Sequence, residues 1–174
     1  MALLAEQIVE EWLNRNGYFT MRGVKLGVHE MDLLAVRPGN GGWECRHLEV
    51  QASANPVSYL TNVPKSVQRE TGRAAGSAKQ RTTAELQESV AGWIEKKYDL
   101  DSKKTLMQRL CPGAWSRELV IRKVKHEEEI EEIQRHGVTV HRLKDIVSEM
   151  LEGAARVEGA RSGDVFELMT LLRD

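Results

Sequence analysis

Three β-like stretches follow one another between residues 18 and 52 with almost nothing between them: Tyr18 to Lys25, His29 to Arg37 and Trp43 to Ala52. A Gly-containing turn separates the first two, and Pro38-Gly39-Asn40-Gly41-Gly42 separates the second and third. The second separation looks like a hairpin loop. The three stretches are framed by helical patterns. Before them, Leu4, Ile8 and Trp12 with Val9 and Leu13 recur at helical spacing and stop at Asn16-Gly17. After them, Thr82-x-x-Glu85 has the form of a capping box, and Leu86, Val90, Trp93 and Ile94 make a helical stripe to about Tyr98.

The remaining pattern is a short helical piece at Lys103 to Leu110, a break at Pro112-Gly113 and a strand at Glu118 to Lys125. A charged surface helix follows at Glu127 to His136, then a short strand around Val138 and Val140. Leu143, Ile146, Val147, Met150 and Leu151 form a further helical stripe. The expected order is αβββαβαβα, an α/β or α+β fold with a mixed sheet flanked by helices. The length of 174 residues suits one domain, read as 1–152, followed by a linker from Gly153 to Gly163 and a last, partly apolar helix from Asp164 to Arg173. That helix carries Val165, Phe166, Leu168, Met169 and Leu172, which would close the core or make a homodimer.

Composition excludes more than it identifies. A net charge of −1 gives no global attraction to nucleic acid, so any such contact must use a local patch. The segment from Asn55 to Arg81 supplies one: Lys65, Arg69, Arg73, Lys79 and Arg81 stand against one acid, Glu70. It reads as an irregular segment, either a solvated loop or one that contacts phosphates. Cys45 and Cys111 form no Cys-x-x-Cys pair, so neither a disulfide framework nor a zinc ribbon is expected, and a reduced, cytoplasmic setting is. His126, His136 and His141 lack accompanying cysteines and do not suggest zinc. The start, Met1 to Glu11, lacks the features of a signal peptide, and no apolar run approaches membrane-spanning length. No phosphate-cradling glycine motif or Gly-x-Ser-x-Gly turn occurs, so neither a nucleotide cofactor nor a serine hydrolase is expected.

The polar residues inside the apolar strands are the candidate chemistry. Met31-Asp32-Leu33-Leu34-Ala35-Val36 is apolar on both faces apart from Asp32, a placement that is costly unless the charge finds a partner. In Leu48-Glu49-Val50-Gln51-Ala52, Glu49 and Gln51 leave one face of the strand while Leu48, Val50 and Ala52 leave the other. If the two strands pair, Asp32 and Glu49 approach closely enough to repel, and an oxygen-ligated divalent cation, magnesium above all, would relieve the repulsion. Glu6 lies at the margin of the first helix's apolar stripe and can point toward the sheet, or can simply complement that helix's dipole.

Taken together, Glu6 on a first helix, Gly27-x-x-Glu30-x-Asp32-Leu33-Leu34-Ala35 and Leu48-Glu49-Val50-Gln51 resemble the PD-(D/E)xK, or restriction-endonuclease-like, nuclease superfamily. The resemblance covers the first third of the chain in detail. It implies a core of helix, three antiparallel strands, helix and a further parallel strand. It also implies that Asp32, Glu49 and the Val50 carbonyl bind Mg²⁺ (Mn²⁺ being an alternative), that Glu6 assists, and that DNA phosphodiester bonds are hydrolysed. Gln51 stands where the family has lysine. An amide can position water but supplies no positive charge; some active restriction enzymes of the superfamily carry glutamine there. Lys25, Lys65 and Lys79 are the lysines considered for the missing charge. The competing expectation is a catalytically inactive module of the same fold that binds nucleic acid or a protein partner.

Overall fold

The computed structural model describes residues 2–53 and 57–154. Helix α1 (Ala2–Arg15) buries Ala5, Val9, Trp12 and Leu13 along one stripe. It ends where Gly17, at φ 81°, turns the chain so that the Tyr18 N–H returns to the Leu13 carbonyl. Strands β1 (Phe19–Leu26), β2 (His29–Gly39) and β3 (Gly42–Gln51) then form an antiparallel meander.

The second hairpin is tighter than its glycine-rich sequence suggests. Pairing continues through Pro38↔Trp43 and Gly39↔Gly42, leaving only Asn40-Gly41 as the loop. Pro38 is tolerated because β1 pairing reaches only as far as Val36, so no neighbour on that side needs an N–H from residue 38.

The chain next crosses one face of the sheet through α2 (Lys65–Thr71), α3 (Thr83–Ile94), a π-helical turn (Glu95–Asp99) and α4 (Asp101–Leu110). It returns as β4 (Trp115–Ile121), parallel to β3. Helix α5 (Glu127–Arg135) connects to β5 (Thr139–Arg142), parallel to β4, and α6 (Leu143–Ala154) follows at once. The result is a five-stranded mixed sheet in the order β1-β2-β3-β4-β5, flanked by helices. This is the expected class and order of elements, with α2 in addition.

Three local expectations change. The segment 55–81, read as irregular, contains α2, which Gly72 ends at φ 70°. The strand expected at Glu118 to Lys125 begins at Trp115 and ends at Ile121. The charged helix after it lies at the surface on one side only, and the other side buries Ile130, Ile133, Glu129 and Glu132. Glu129 accepts bonds from the Leu60 and Thr61 N–H groups and the Thr61 hydroxyl, which ties the crossover segment down. At the C-terminal end, α6 runs to Ala154, and the expected linker beyond it and the helix from Asp164 to Arg173 lie outside the described residues.

Two apolar layers sandwich the sheet. On one face α1 and α6 pack on Leu33, Ala35, Leu48, Val50 and Val120. On the other, α3, the π turn and α5 pack on Leu119 and Ile121, while α4 places Met107 against Met31 and Leu34. Each of these buried Val, Leu, Ile and Met side chains contributes roughly 1.5–3 kcal/mol. Among the described residues no helix is long and apolar enough to cross a membrane.

Candidate active site

The β2–β3 ladder ends at Leu33↔Leu48. Beyond it β2 continues along β1 and β3 continues along β4, so the two strands separate and leave a fork with Asp32 on one prong and Glu49 on the other. Alternation breaks at this point: Leu33 faces the α1 layer, yet Met31 lies with Leu34 in the opposite layer. On the far side, β1 pairing skips Gly23, opposite Asp32, and Gly23 adopts a φ of 65° that disfavours any side chain. Parting of the strands exposes the Val50 N–H, and the Asp32 carboxylate accepts it at 2.7 Å.

That bond only partly compensates Asp32. Burial and the nearby charge of Glu49 push its carboxyl up to about 7; the Val50 N–H and Lys97 pull it down, and Glu6 adds a further push upward. Half-buried Glu6 is the least of the charges acting on the Asp32 carboxyl.

Glu49 is fully buried. Its Oε2 accepts from Lys97 Nζ at 2.5 Å, and its Oε1 faces Lys103 Nζ at 3.3 Å and His47 Nε2 at 3.2 Å. Burial alone would raise its carboxyl; His47, Lys97 and Lys103 outweigh burial and hold it below the usual range. Lys97 is held above the ordinary lysine value because Glu49 and Asp32 outweigh its own desolvation. Lys103 is shifted down, by burial first and by repulsion from Lys97 among the lesser causes. Its ammonium also donates to the carbonyls of Glu30 and Lys97, which uses all three of its protons. Lys103 therefore pins α4 and the π turn to the edge of the fork, while Lys97, about a quarter exposed, keeps access to solvent.

The structure brings together Asp32, Glu49 and Val50, while Glu6 acts on Asp32 only as a minor charge. Gln51, half-buried, lies two residues beyond Glu49 on β3 and opposite Ile121 of β4. The lysine contacts at Glu49 come from elsewhere than expected. Lys25, Lys65 and Lys79 are all exposed, and the ammonium groups at Glu49 are those of Lys97 and Lys103. Nothing in the sequence singled these two out, since each sits in a charged helical stretch that reads as solvent-facing. The π turn is the device that swings Lys97 onto the fork, and such turns recur at functional sites.

The basic segment divides in two. Lys65, Arg69 and Lys79 are exposed and available to a polyanion. Arg73 is occupied by Glu85 at 2.7 Å and by the Lys79 carbonyl. Arg81 is buried, bonds the Thr61 hydroxyl and carbonyl, lies over the Tyr59 ring at 4.0 Å and faces Glu129. Arg73 and Arg81 therefore hold the crossover segment in place, a correction to their reading as phosphate contacts.

Two further polar features stand apart from the fork. On the α1 face Glu118 binds Arg46, Ser116 and His141; burial opposes these three bonds, which nevertheless hold its carboxyl down at about 2. Arg46 in turn lies over the rings of Trp12 and Tyr18. Cys45 and Cys111 are buried, unbridged thiols in mutual contact at 3.0 Å.

The donor set at the fork fits a hard divalent cation. Magnesium is commonly held by one or two carboxylates, with water and substrate oxygens completing its shell; the Asp32 carboxyl is raised first by burial and then by Glu49, and a cation would offset both. Among the described residues no group of three or more His, Cys, Asp or Glu side chains is placed to hold a metal; Asp32 and Glu49 are the carboxylates at the fork that would hold one.

The sequence matches no protein-family profile and no curated protein. The fold superposes on a crystal structure described as a protein of unknown function, AF1548, with a TM-score of 0.45 and 12% identity, over 84% of this chain and 66% of that one. The chain thus spans about two thirds of that structure's length.

Proposed function

We propose that this protein is a metal-dependent nuclease of the PD-(D/E)xK kind that hydrolyses DNA phosphodiester bonds. The observation that carries the reading is the convergence of Asp32, Glu49 and Lys97 where β2 and β3 part. A bound Mg²⁺ would supply an activated water and neutralise charge on the phosphate oxygens. Asp32, Glu49 and the Val50 carbonyl would hold it. Lys97 fills the role that Gln51 cannot, presenting a positive charge to the phosphate once its contact with Glu49 is exchanged for one to substrate. Gln51 is left to position water by its amide. Exposed Lys65, Arg69 and Lys79 hold the backbone. A homodimer would place two such sites on the two strands of a duplex.

A second reading has its own observation. Glu49 has both oxygens occupied by cationic or imidazole partners, which is also what a catalytically inactive module that binds nucleic acid or protein would do to keep a buried carboxylate stable. Cleavage of linear, supercoiled, branched and single-stranded DNA in Mg²⁺, Mn²⁺ or EDTA, with Asp32→Asn and Lys97→Met alongside, separates the two. Metal-dependent cutting lost in both variants supports the enzyme. No cutting on any substrate, and no metal binding by calorimetry, supports the inactive module.

A further inference from the structure

The chain's two cysteines meet away from the fork, at the far end of α4. Cys45 lies inside β3, paired with Val36 of β2 on one side and Trp115 of β4 on the other. Cys111 closes α4: its N–H donates to the Met107 carbonyl at 2.9 Å, and its own carbonyl accepts Trp115 Nε1 at 3.0 Å. Both backbones are therefore fixed by bonds that do not involve sulfur. The two thiols, 66 residues apart in sequence, are 3.0 Å apart, with Cys45 Sγ–H donating to Cys111 Sγ. A disulfide has an S–S length of about 2.05 Å, so roughly 1 Å separates contact from bond, a change that side-chain torsions absorb.

The two sulfurs differ in their access to solvent chemistry. Burial first, and then the Cys111 thiol, push Cys45 up to about 12, so it stays protonated at neutral pH. Cys111 is also buried, but Leu110 before it and Pro112 and Gly113 after it are exposed. Local opening of that turn presents Cys111 to an oxidant while the sheet around Cys45 stays intact.

We infer that Cys45 and Cys111 are a site of reversible disulfide formation, a covalent clasp between β3 and the end of α4 made by exchange with a small-molecule disulfide such as glutathione disulfide. In the first step the Cys111 sulfur, as thiolate, attacks glutathione disulfide. A bond forms from Cys111 to one glutathione, the original S–S bond breaks, and the departing glutathione thiolate takes up the proton that Cys111 lost. The Cys45 sulfur then attacks the Cys111 sulfur and displaces the second glutathione, which takes the Cys45 proton. Two protein thiols are oxidised and one disulfide is reduced to two thiols. The new bond closes the whole crossover into a loop, Lys97 and Lys103 included, and restricts the unfolded chain over that length. It is independent of the nuclease reading.

The test equilibrates the wild-type chain, folded or unfolded in urea, with mixtures of glutathione and glutathione disulfide. Free thiols are then trapped by alkylation in denaturant, the products are weighed and mapped by mass spectrometry, and Tm is measured in the same mixtures without urea. An intramolecular Cys45–Cys111 bond is expected, favoured in the folded chain at least 100-fold over the unfolded one, since a loop of this length is worth about 1,000-fold. The bond should raise Tm by roughly 5–15 °C. Cys45→Ala and Cys111→Ala should each lose the oxidant-dependent change in Tm; the oxidised and reduced wild type provide the comparison without any substitution. The inference is overturned if the folded wild type keeps two free thiols in excess glutathione disulfide, or if it accumulates glutathione adducts or bridged pairs of chains instead. A bond that forms but leaves Tm unchanged or lowered overturns it equally.

Discussion

Replacing Asp32 by Asn is expected to make the protein more stable while abolishing cleavage. In the folded chain the carboxyl titrates at about 7 against 3.8 for an ordinary aspartate, so the folded state binds its proton more tightly than the unfolded state does. Between about pH 4 and 7 the folded state therefore holds more protons, and the Asp32 contribution to stability falls as pH rises through that window, then stays level above it. The displacement from 3.8 to about 7, at about 1.4 kcal/mol per pH unit, sets an upper bound of about 4 kcal/mol on the cost of the ionised group at pH 8. Asn keeps an oxygen to accept the Val50 N–H and carries no charge to repel Glu49. A gain of roughly 2–4 kcal/mol at pH 8 follows, raising Tm by roughly 5–15 °C for a domain of this size. Urea unfolding of both proteins from pH 4 to 8 isolates the effect as a difference curve, in which the opposite slope contributed by Glu49 largely cancels. If the two stabilities run parallel across that range, or if Asn is the less stable at pH 8, the account of a crowded, charge-strained fork is wrong. Millimolar Mg²⁺ is expected to stabilise the wild type at pH 8 and to leave the Asn variant nearly unmoved.

Glu49→Gln should act in the opposite direction: it leaves buried Lys103 without its carboxylate and is expected to lose about 3–5 kcal/mol, read by the same denaturation assay. In the cleavage assay, Lys97→Met should lower kcat at least 100-fold, whereas Gln51→Ala should cost less than tenfold; the reverse ranking would return the family lysine's role to position 51. Arg81→Ala is expected to destabilise the fold by roughly 3 kcal/mol or more, because Glu129 remains buried without its cation. Lys65→Ala with Arg69→Ala should leave Tm within about 2 °C and weaken DNA binding, with the salt dependence of Kd reduced by nearly two phosphate contacts.

The mixed sheet, its helical flanks and the two carboxylates were legible before any coordinates because they rest on short-range rules. Alternation assigns Glu49 and Leu48 to opposite faces, the Gly27 and Asn40-Gly41 turns force antiparallel neighbours, and Thr82 with Glu85 begins α3 by the capping box seen in the structure. The fate of the charged residues was not legible, because it depends on which distant group each one meets. Lys97, Lys103, Arg73, Arg81 and Glu129 occupy stretches rich in charged and polar residues, and sequence proximity says only that they can reach water. Chain crossover brings Lys97 and Lys103 to Glu49, roughly 50 residues away, and Arg81 to Thr61 and Glu129. Long-range pairing of this sort is decided by the packing of whole layers, which removes water from one ammonium and leaves it around the next. The sequence by itself determined where the acids stand on their strands; only the tertiary structure decided which cations stand against them.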